Sequence, residues 1–209
     1  MKTIVFQGDS ITDAGRNRDN DSERGIGYPT LVSAELGFKY PGEFIFINEG
    51  ISGNRIVDLY TRIKRDIILR RPDYLTILIG INDVWHEIND RNGVDNAKFF
   101  RVYCNLIEEI KTMLPDIKIF ILEPFVLKAS ATQKAYGIFR RETEMRAESA
   151  KAVAEKYSLT FIPLQKKFDE AEKKAEASYW LSDGVHPTSA GHELIAREVA
   201  LALEGAING

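Results

Sequence analysis

The feature that most constrains the fold is the alternation of five short apolar, β-branched runs with segments of helical periodicity. Runs that are apolar at successive positions are typical of strands buried on both faces of a parallel sheet. Between them, Ile56, Leu59 and Ile63 recur at the spacing of one helix face. The alternation predicts an open α/β sheet with right-handed crossovers. The predicted strands are Thr3–Phe6, Phe44–Ile47, Leu75–Ile79, Ile117–Leu122 and Leu159–Ile162.

The second half of the chain contains further helical segments that are rich in charged residues. Thr188 or Ser189 can cap the last of these helices, and Gly205 stands where a helix end is expected. We therefore predict that the last helix ends near Gly205. The predicted helices are Gln133 to Lys156, Gln165–Glu176 and about Ser189 to Leu203.

Length and charge restrict the class of protein. A chain of 209 residues fits a single domain, here 1–209. The net charge of −3 and the absence of a basic run argue against a nucleic acid or an anionic membrane as partner. Neither a signal peptide nor a bilayer-spanning run is recognisable. The single cysteine, Cys104, falls within a helical pattern and fits a packing role in a reducing compartment, so we expect a cytoplasmic protein.

Three glycine-containing segments each follow a predicted strand, so they should meet where the strands end. They are Gly8-Asp9-Ser10, Gly50–Gly53 and Gly80–Asp83. Near the other end of the chain, Asp183 and His186 are three residues apart. A serine, a histidine and an aspartate can act as nucleophile, base and orienting group. Taken singly, Asp183-x-x-His186 also fits a turn before the last helix, and Gly-Asp-Ser fits an ordinary capped turn.

Amide donors and other candidate groups can be assigned in the same way. The amides of Ser10 and Gly53 and the side chain of Asn82 could stabilise an oxyanion, although a tight turn and a local cap are alternative explanations. His192 is expected to lie on the last helix, in a surface or helix-packing role. With three histidines and one cysteine, no metal site emerges. No phosphate loop or dinucleotide fingerprint is present, so no cofactor is expected.

The four blocks together resemble those of the SGNH hydrolases, also called GDSL-type esterases and lipases. These blocks are Gly8–Asp13, Gly53-Asn54, Gly80–Asp83 and Asp183–Pro187. The resemblance implies Ser10 as nucleophile, His186 as base and Asp183 as orienting group, with an oxyanion hole from Ser10, Gly53 and Asn82. It also implies a flavodoxin-like three-layer α/β/α sandwich with a five-stranded parallel sheet, and makes a homo-oligomer plausible.

A narrower resemblance is to the bacterial acetylxylan esterase branch, carried by Gly8–Arg16, Gly50–Asn54 and Ile79–Trp85. It implies an acetylated xylo-oligosaccharide as substrate and Trp85 as a platform for a sugar ring. Tyr28 and Trp180 are further candidates, with core packing as the alternative.

One position departs from that branch, which tends to carry a tryptophan directly before the aspartate. Ser182 stands there, and Trp180 lies two residues earlier. A lysophospholipase or thioesterase acting on longer acyl chains, and a non-catalytic flavodoxin-like binding protein, are the alternative functions.

Overall fold

A five-stranded parallel sheet forms the centre of the computed structural model, which describes residues 1–209. The strand order is β2-β1-β3-β4-β5. Each predicted strand is present, and no strand end lies more than two residues from the expected one. The three-layer α/β fold is therefore confirmed. The strands are β1 (Lys2–Gly8), β2 (Phe44–Asn48), β3 (Tyr74–Leu78), β4 (Lys118–Leu122) and β5 (Thr160–Ile162).

Helices connect the strands and cover both faces of the sheet. A π-helical turn, Lys64–Ile68, follows the third helix, and a 3₁₀ turn, Gln133–Ala135, precedes the sixth. None of the helices combines the length and the apolar composition that crossing a membrane requires. The helices are α1 (Ser10–Asp13), α2 (Tyr28–Lys39), α3 (Ile56–Thr61), α4 (Ile81–Asp90), α5 (Asn96–Met113), α6 (Tyr136–Lys156), α7 (Gln165–Glu172), α8 (Ala177–Trp180) and α9 (Ser189–Asn208).

Two predicted helix ends are wrong. Helix α7 ends at Glu172 instead of Glu176, because the chain turns there and α8 begins with the buried Ala177. Helix α9 continues through Gly205 to Asn208. A glycine inside a helix costs only about 0.5–1 kcal/mol, and Leu203 and Ile207 pack on the core on either side of it. The predicted cap is confirmed, since the Thr188 side chain accepts from the amide of Gly191.

Side chains of the central strands alternate between two apolar cores. Ile4 and Phe6 of β1 point into a core of 26 buried residues that α2 and α9 cover. Val5 points into a second core of 21 buried residues, which α3, α5 and α6 cover and which contains Cys104. Burial on both faces holds for β3, whereas the outer strands β2 and β5 are partly exposed because each has a neighbour on one side only. Side chains on both faces of the central strands are therefore packed in apolar surroundings.

Strands β1 and β3 are parallel neighbours at the topological switch point of the sheet. The chain adds β2 on one side of β1, and then β3, β4 and β5 on the other side. A crevice at the carboxyl ends of such strands is the usual ligand site of an open α/β sheet. Gly8 permits the close approach there, since a Cβ atom would lie 2.3 Å from Thr12 Oγ1 and 2.5 Å from the Leu78 carbonyl oxygen. Ser10 follows β1 directly at this point.

Candidate active site

Ser10, His186 and Asp183 form one hydrogen-bonded line, although Ser10 and His186 are 176 positions apart in the sequence. The Oγ of Ser10 lies 2.9 Å from Nε2 of His186. On the other side of the ring, Nδ1 lies 2.7 Å from Oδ2 of Asp183. Because an ionised carboxylate only accepts hydrogen bonds, the proton of the neutral imidazole sits on Nδ1. Nε2 is then free to accept the hydroxyl proton of Ser10.

The loop that carries His186 is held by the carboxylate of Asp183. Its Oδ1 accepts from the amide of Val185 at 2.9 Å and from the amide of His186 at 2.8 Å. Leu181 and Pro187 pair as an antiparallel bridge on either side. The segment is thus a turn, as one of the two sequence interpretations holds, but the turn also aims the imidazole at Ser10.

The same contacts shift two pKa values in opposite directions. Partial burial alone would raise the pKa of Asp183, but hydrogen bonds from the ring and amide of His186 and the amide of Val185 lower it to about 2. The hydrogen bond to Asp183 raises the pKa of His186 above its usual 6.5. Asp183 therefore stays ionised at neutral pH, and His186 is a stronger base than a free imidazole.

Ser10 is the first residue of α1, and its position depends on the buried Asp9. Oδ1 of Asp9 accepts from the amide of Ile11 at 2.9 Å, which caps the helix. The second carboxylate oxygen is buried without a hydrogen-bond partner. Burial raises the pKa of Asp9 to about 7. These contacts make Asp9 a brace of the turn that carries Ser10.

The predicted amide donors lie beside Ser10 in one cleft. Gly53 has a φ of +81°, a left-handed conformation that glycine adopts without strain. One N–H of the Asn82 amide donates to the carbonyl of Asn54 at 3.1 Å, and the second N–H of that group is available to a ligand. Neighbouring Asp83 is fully buried and accepts from the amide of Ile56. These contacts hold the segments after β2 and β3 together.

Sequence reasoning missed Arg62, which connects the end of β1 to the segment after β2. Its guanidinium donates to the carbonyls of Gly8 at 3.0 Å and Glu49 at 2.8 Å, and to the side chain of Asn54 at 2.7 Å. It also pairs with the buried carboxylate of Asp66. The only signal in the sequence was a charged residue directly before the apolar Ile63.

The cleft itself is small, shallow and almost entirely polar. Its volume is about 290 Å³, and Trp85 is its one hydrophobic side chain. The Trp85 ring lies 5.8 Å from the His186 ring, and it packs edge-on against Phe139. The residues that line the cleft are Ser10, Ser52, Gly53, Asn82, Trp85, His86, Asn89, Asp90 and His186. No group of three or more His, Cys, Asp and Glu side chains is placed to hold a metal ion.

Two of the predicted substrate-binding aromatics lie outside this cleft. Tyr28 is fully buried, bonds through its hydroxyl to Thr12 and packs edge-on against Phe6, so no substrate reaches it. Trp180 lines a different cavity between α7 and α9. The predicted roles of Tyr28 and Trp180 are therefore wrong, and core packing explains Tyr28.

His192 lies on α9 and is buried, so of its two expected roles the packing role is the one that the structure shows. Its Nδ1 accepts from the amide of Tyr28 at 3.2 Å. Burial lowers the pKa of His192 to about 4, so the ring is neutral at physiological pH.

A hydroxyl, an imidazole and a carboxylate in line, beside amide donors at the carboxyl edge of a flavodoxin-like sheet, define the class of serine hydrolases. The sequence comparison then identifies the family. The GDSL-like lipase/acylhydrolase family model matches residues 6–194, so this chain belongs to that family. The resemblance noted from the four sequence blocks is confirmed.

Relatives agree over nearly the full length of the chain. The acetylxylan esterase of Geobacillus stearothermophilus is 32% identical over 203 residues, which cover 93% of this chain and 90% of that protein. The crystal structure of that esterase has a TM-score of 0.84, covering 95% of this chain and 92% of the other. A crystal structure from Parabacteroides merdae reaches a TM-score of 0.91 at 35% identity, covering 97% of this chain and 96% of the other.

Proposed function

We propose that this protein is a serine esterase that removes acetyl groups from small acetylated carbohydrates, xylo-oligosaccharides foremost. The observation that carries the proposal is the pair of hydrogen bonds that link Asp183 to His186 and His186 to Ser10. Ser10 and His186 line a small polar cleft, where a substrate can reach them. The similarity to an acetylxylan esterase at 32% identity supports the choice of substrate.

The proposed reaction has two steps through an acetyl-serine intermediate. Ser10 Oγ attacks the acetyl carbonyl carbon while its proton passes to Nε2 of His186. The ester C–O bond then breaks, and the imidazolium returns that proton to the leaving alcohol. In the second step His186 takes a proton from water, whose oxygen attacks the acetyl-enzyme, and the imidazolium then returns this proton to Ser10 as acetic acid leaves and ionises in the solvent. Asp183 stabilises the imidazolium in both steps.

Negative charge develops on the carbonyl oxygen in each step. We assign its stabilisation to the amides of Ser10 and Gly53 and to the free N–H of Asn82. Donors of this kind act mainly in the transition state, since they are already oriented before the charge forms. The bond from Asn82 to the Asn54 carbonyl keeps the amide in one orientation.

The cleft favours a short acyl group over the longer chains of a lysophospholipase or thioesterase. Transfer of each CH₂ from water to an apolar site contributes about 0.8 kcal/mol. Among the lining residues only Trp85 offers an apolar surface, so a long chain would gain little here. We assign Trp85 as a surface for the sugar ring, since its half-buried ring lies next to His186.

Nitrophenyl esters from acetyl to octanoyl test the acyl preference, and NMR of acetylated xylo-oligosaccharides tests the substrate. We expect kcat/KM to be highest for the acetyl ester and sugar acetyl signals to disappear. A preference that rises with chain length would reject the deacetylase assignment.

Ser10→Ala separates catalysis from simple binding. Loss of the nucleophile should reduce the hydrolysis of an activated acetate ester by at least about 10³-fold. Unchanged hydrolysis would favour the alternative of a non-catalytic protein with this fold.

A further inference from the structure

We propose that the outer part of α4 binds the leaving group of the substrate, and that His86, Asn89 and Asp90 recognise its hydroxyl groups. The inference rests on the proposed function. It adds three side chains to which neither the sequence blocks nor the comparisons assign a role, and it places the sugar along one helix.

Helix α4 supplies five of the residues that line the cleft. The last four of them lie three, four, seven and eight positions after the first, which is the spacing of a single helical face. The five residues are Asn82, Trp85, His86, Asn89 and Asp90. One wall of the cleft is therefore one stripe of this helix. It begins at the amide that we assign to the oxyanion and runs outward.

The length of the stripe decides which part of a substrate it contacts. At 1.5 Å per residue, eight residues span about 12 Å. An acetyl group has two carbon atoms, so it does not extend that far from the reacting carbonyl. Whatever lies against Asn89 and Asp90 must therefore belong to the alcohol side of the ester.

The chemistry of these side chains indicates an alcohol with several hydroxyl groups. An imidazole, a primary amide and a carboxylate together offer both donors and acceptors, which hydroxyl groups can satisfy in either role. Asn89 and Asp90 are exposed and His86 is half-buried. No hydrogen bond within the protein occupies these three side chains, in contrast to Ser52, whose hydroxyl donates to Asp13.

Trp85 supplies the complementary apolar surface. Its half-exposed ring lies between Asn82 and His86 in the sequence and belongs to the same stripe. A single aromatic face followed by polar groups matches the alternating apolar and hydroxyl surfaces of a sugar, and it offers no continuous apolar path for a lipid tail.

Two acetate esters with the same acyl group and different alcohols test this inference. Acetylated xylo-oligosaccharide presents hydroxyl groups, whereas 4-nitrophenyl acetate presents none. In His86→Ala and Asn89→Ala we expect the ratio of kcat/KM for the sugar ester to kcat/KM for the aryl ester to fall about three- to tenfold each. The loss should lie mainly in KM, because these contacts form in both the ground state and the transition state.

Glu87→Gln is the matched control on the same helix. Glu87 is exposed and lines the cavity on the other side of α4, and glutamine keeps an acceptor for the Gly93 amide. The ratio should stay constant in this variant. An unchanged ratio in His86→Ala and in Asn89→Ala, with the unmodified protein active on the sugar ester, would overturn the subsite alone. Absence of sugar deacetylation by the unmodified protein would instead reject the proposed function, and the subsite with it.

Discussion

Asp183 and His186 are joined by a 2.7 Å contact between Oδ2 and Nδ1, while the other oxygen of the same carboxylate holds the amide of His186. A single side chain thus fixes the tautomer of the imidazole, its direction and the backbone that carries it. The line continues to Ser10.

Asp183→Asn should lower kcat by about 10³–10⁴-fold, because an amide in this position favours the wrong imidazole tautomer. The pH profile should change as well. The contact with Asp183 raises the pKa of His186 above 6.5, so the kcat/KM of the unmodified protein should rise with pH through a midpoint above 6.5. In the variant the midpoint should move to lower pH, and hydrolysis of an acetate ester between pH 5 and 9 measures both effects.

Asp169→Asn is the control for the loss of one carboxylate. Asp169 pairs with Arg140 away from the cleft, so both kcat and the midpoint should remain those of the unmodified protein. A midpoint that stays in place in Asp183→Asn would contradict the assigned contact.

The sequence predicted the sheet and the Ser10–His186 pair because both follow from local patterns combined with topology. Apolar runs identify the strands, and parallel strands bring the segments after them to one edge. Arg62 was not predictable in this way. Its partner Gly8 ends β1, whereas Glu49 and Asn54 lie in the connection between β2 and α3, and only the folded chain defines the distance between these two segments.

The two tryptophans also show what the sequence alone could not predict. Trp85 and Trp180 both stand next to a block of the active site in the sequence. Trp85 follows Asn82 by three residues on α4 and therefore shares its face. Trp180 precedes the turn of Asp183, and the bridge between Leu181 and Pro187 separates it from the cleft. A residue near an active-site block in the sequence can be placed in the cleft only where a regular element, such as α4, connects it to that block.

Asn82→Ala should reduce kcat by about 10²–10³-fold with little change in KM, because the lost donor acts mainly on the developing oxyanion. Steady-state kinetics with 4-nitrophenyl acetate measures the two constants. Asn105→Ala, which removes an exposed asparagine amide from α5, should change neither. A loss confined to KM in Asn82→Ala would mean that Asn82 binds the substrate without stabilising the oxyanion.

Arg62→Ala should lower the free energy of unfolding by about 3–5 kcal/mol, since the buried carboxylate of Asp66 and two backbone carbonyls lose a charged partner. Urea unfolding measures the change. Arg65→Ala is the comparison, because Arg65 also pairs with Asp66 but its side chain is 73% exposed. Exposed ion pairs contribute about 0–1 kcal/mol to stability, so Arg65→Ala should lose little. Equal losses of unfolding free energy in the two variants would contradict the assigned role of Arg62 in joining the end of β1 to the segment after β2.

The buried His192 should make the protein less stable in acid. Its pKa is about 4 in the folded protein, against about 6.5 in an unfolded chain. The unfolded state therefore binds a proton first as the pH falls, and the free energy of unfolding should decrease by about 3 kcal/mol between pH 7 and pH 4. This loss adds to the contributions of all other titrating groups, so it must be isolated with a variant.

His192→Asn isolates that contribution. Asparagine does not titrate, and its Oδ1 can accept the amide hydrogen of Tyr28 as Nδ1 of His192 does. Urea unfolding of both proteins from pH 4 to pH 8 should give curves that are not parallel, with the unmodified protein losing about 3 kcal/mol more than the variant on acidification. Parallel curves would show that the imidazole binds its proton equally well in the folded and unfolded states, which is incompatible with its burial between α2 and α9.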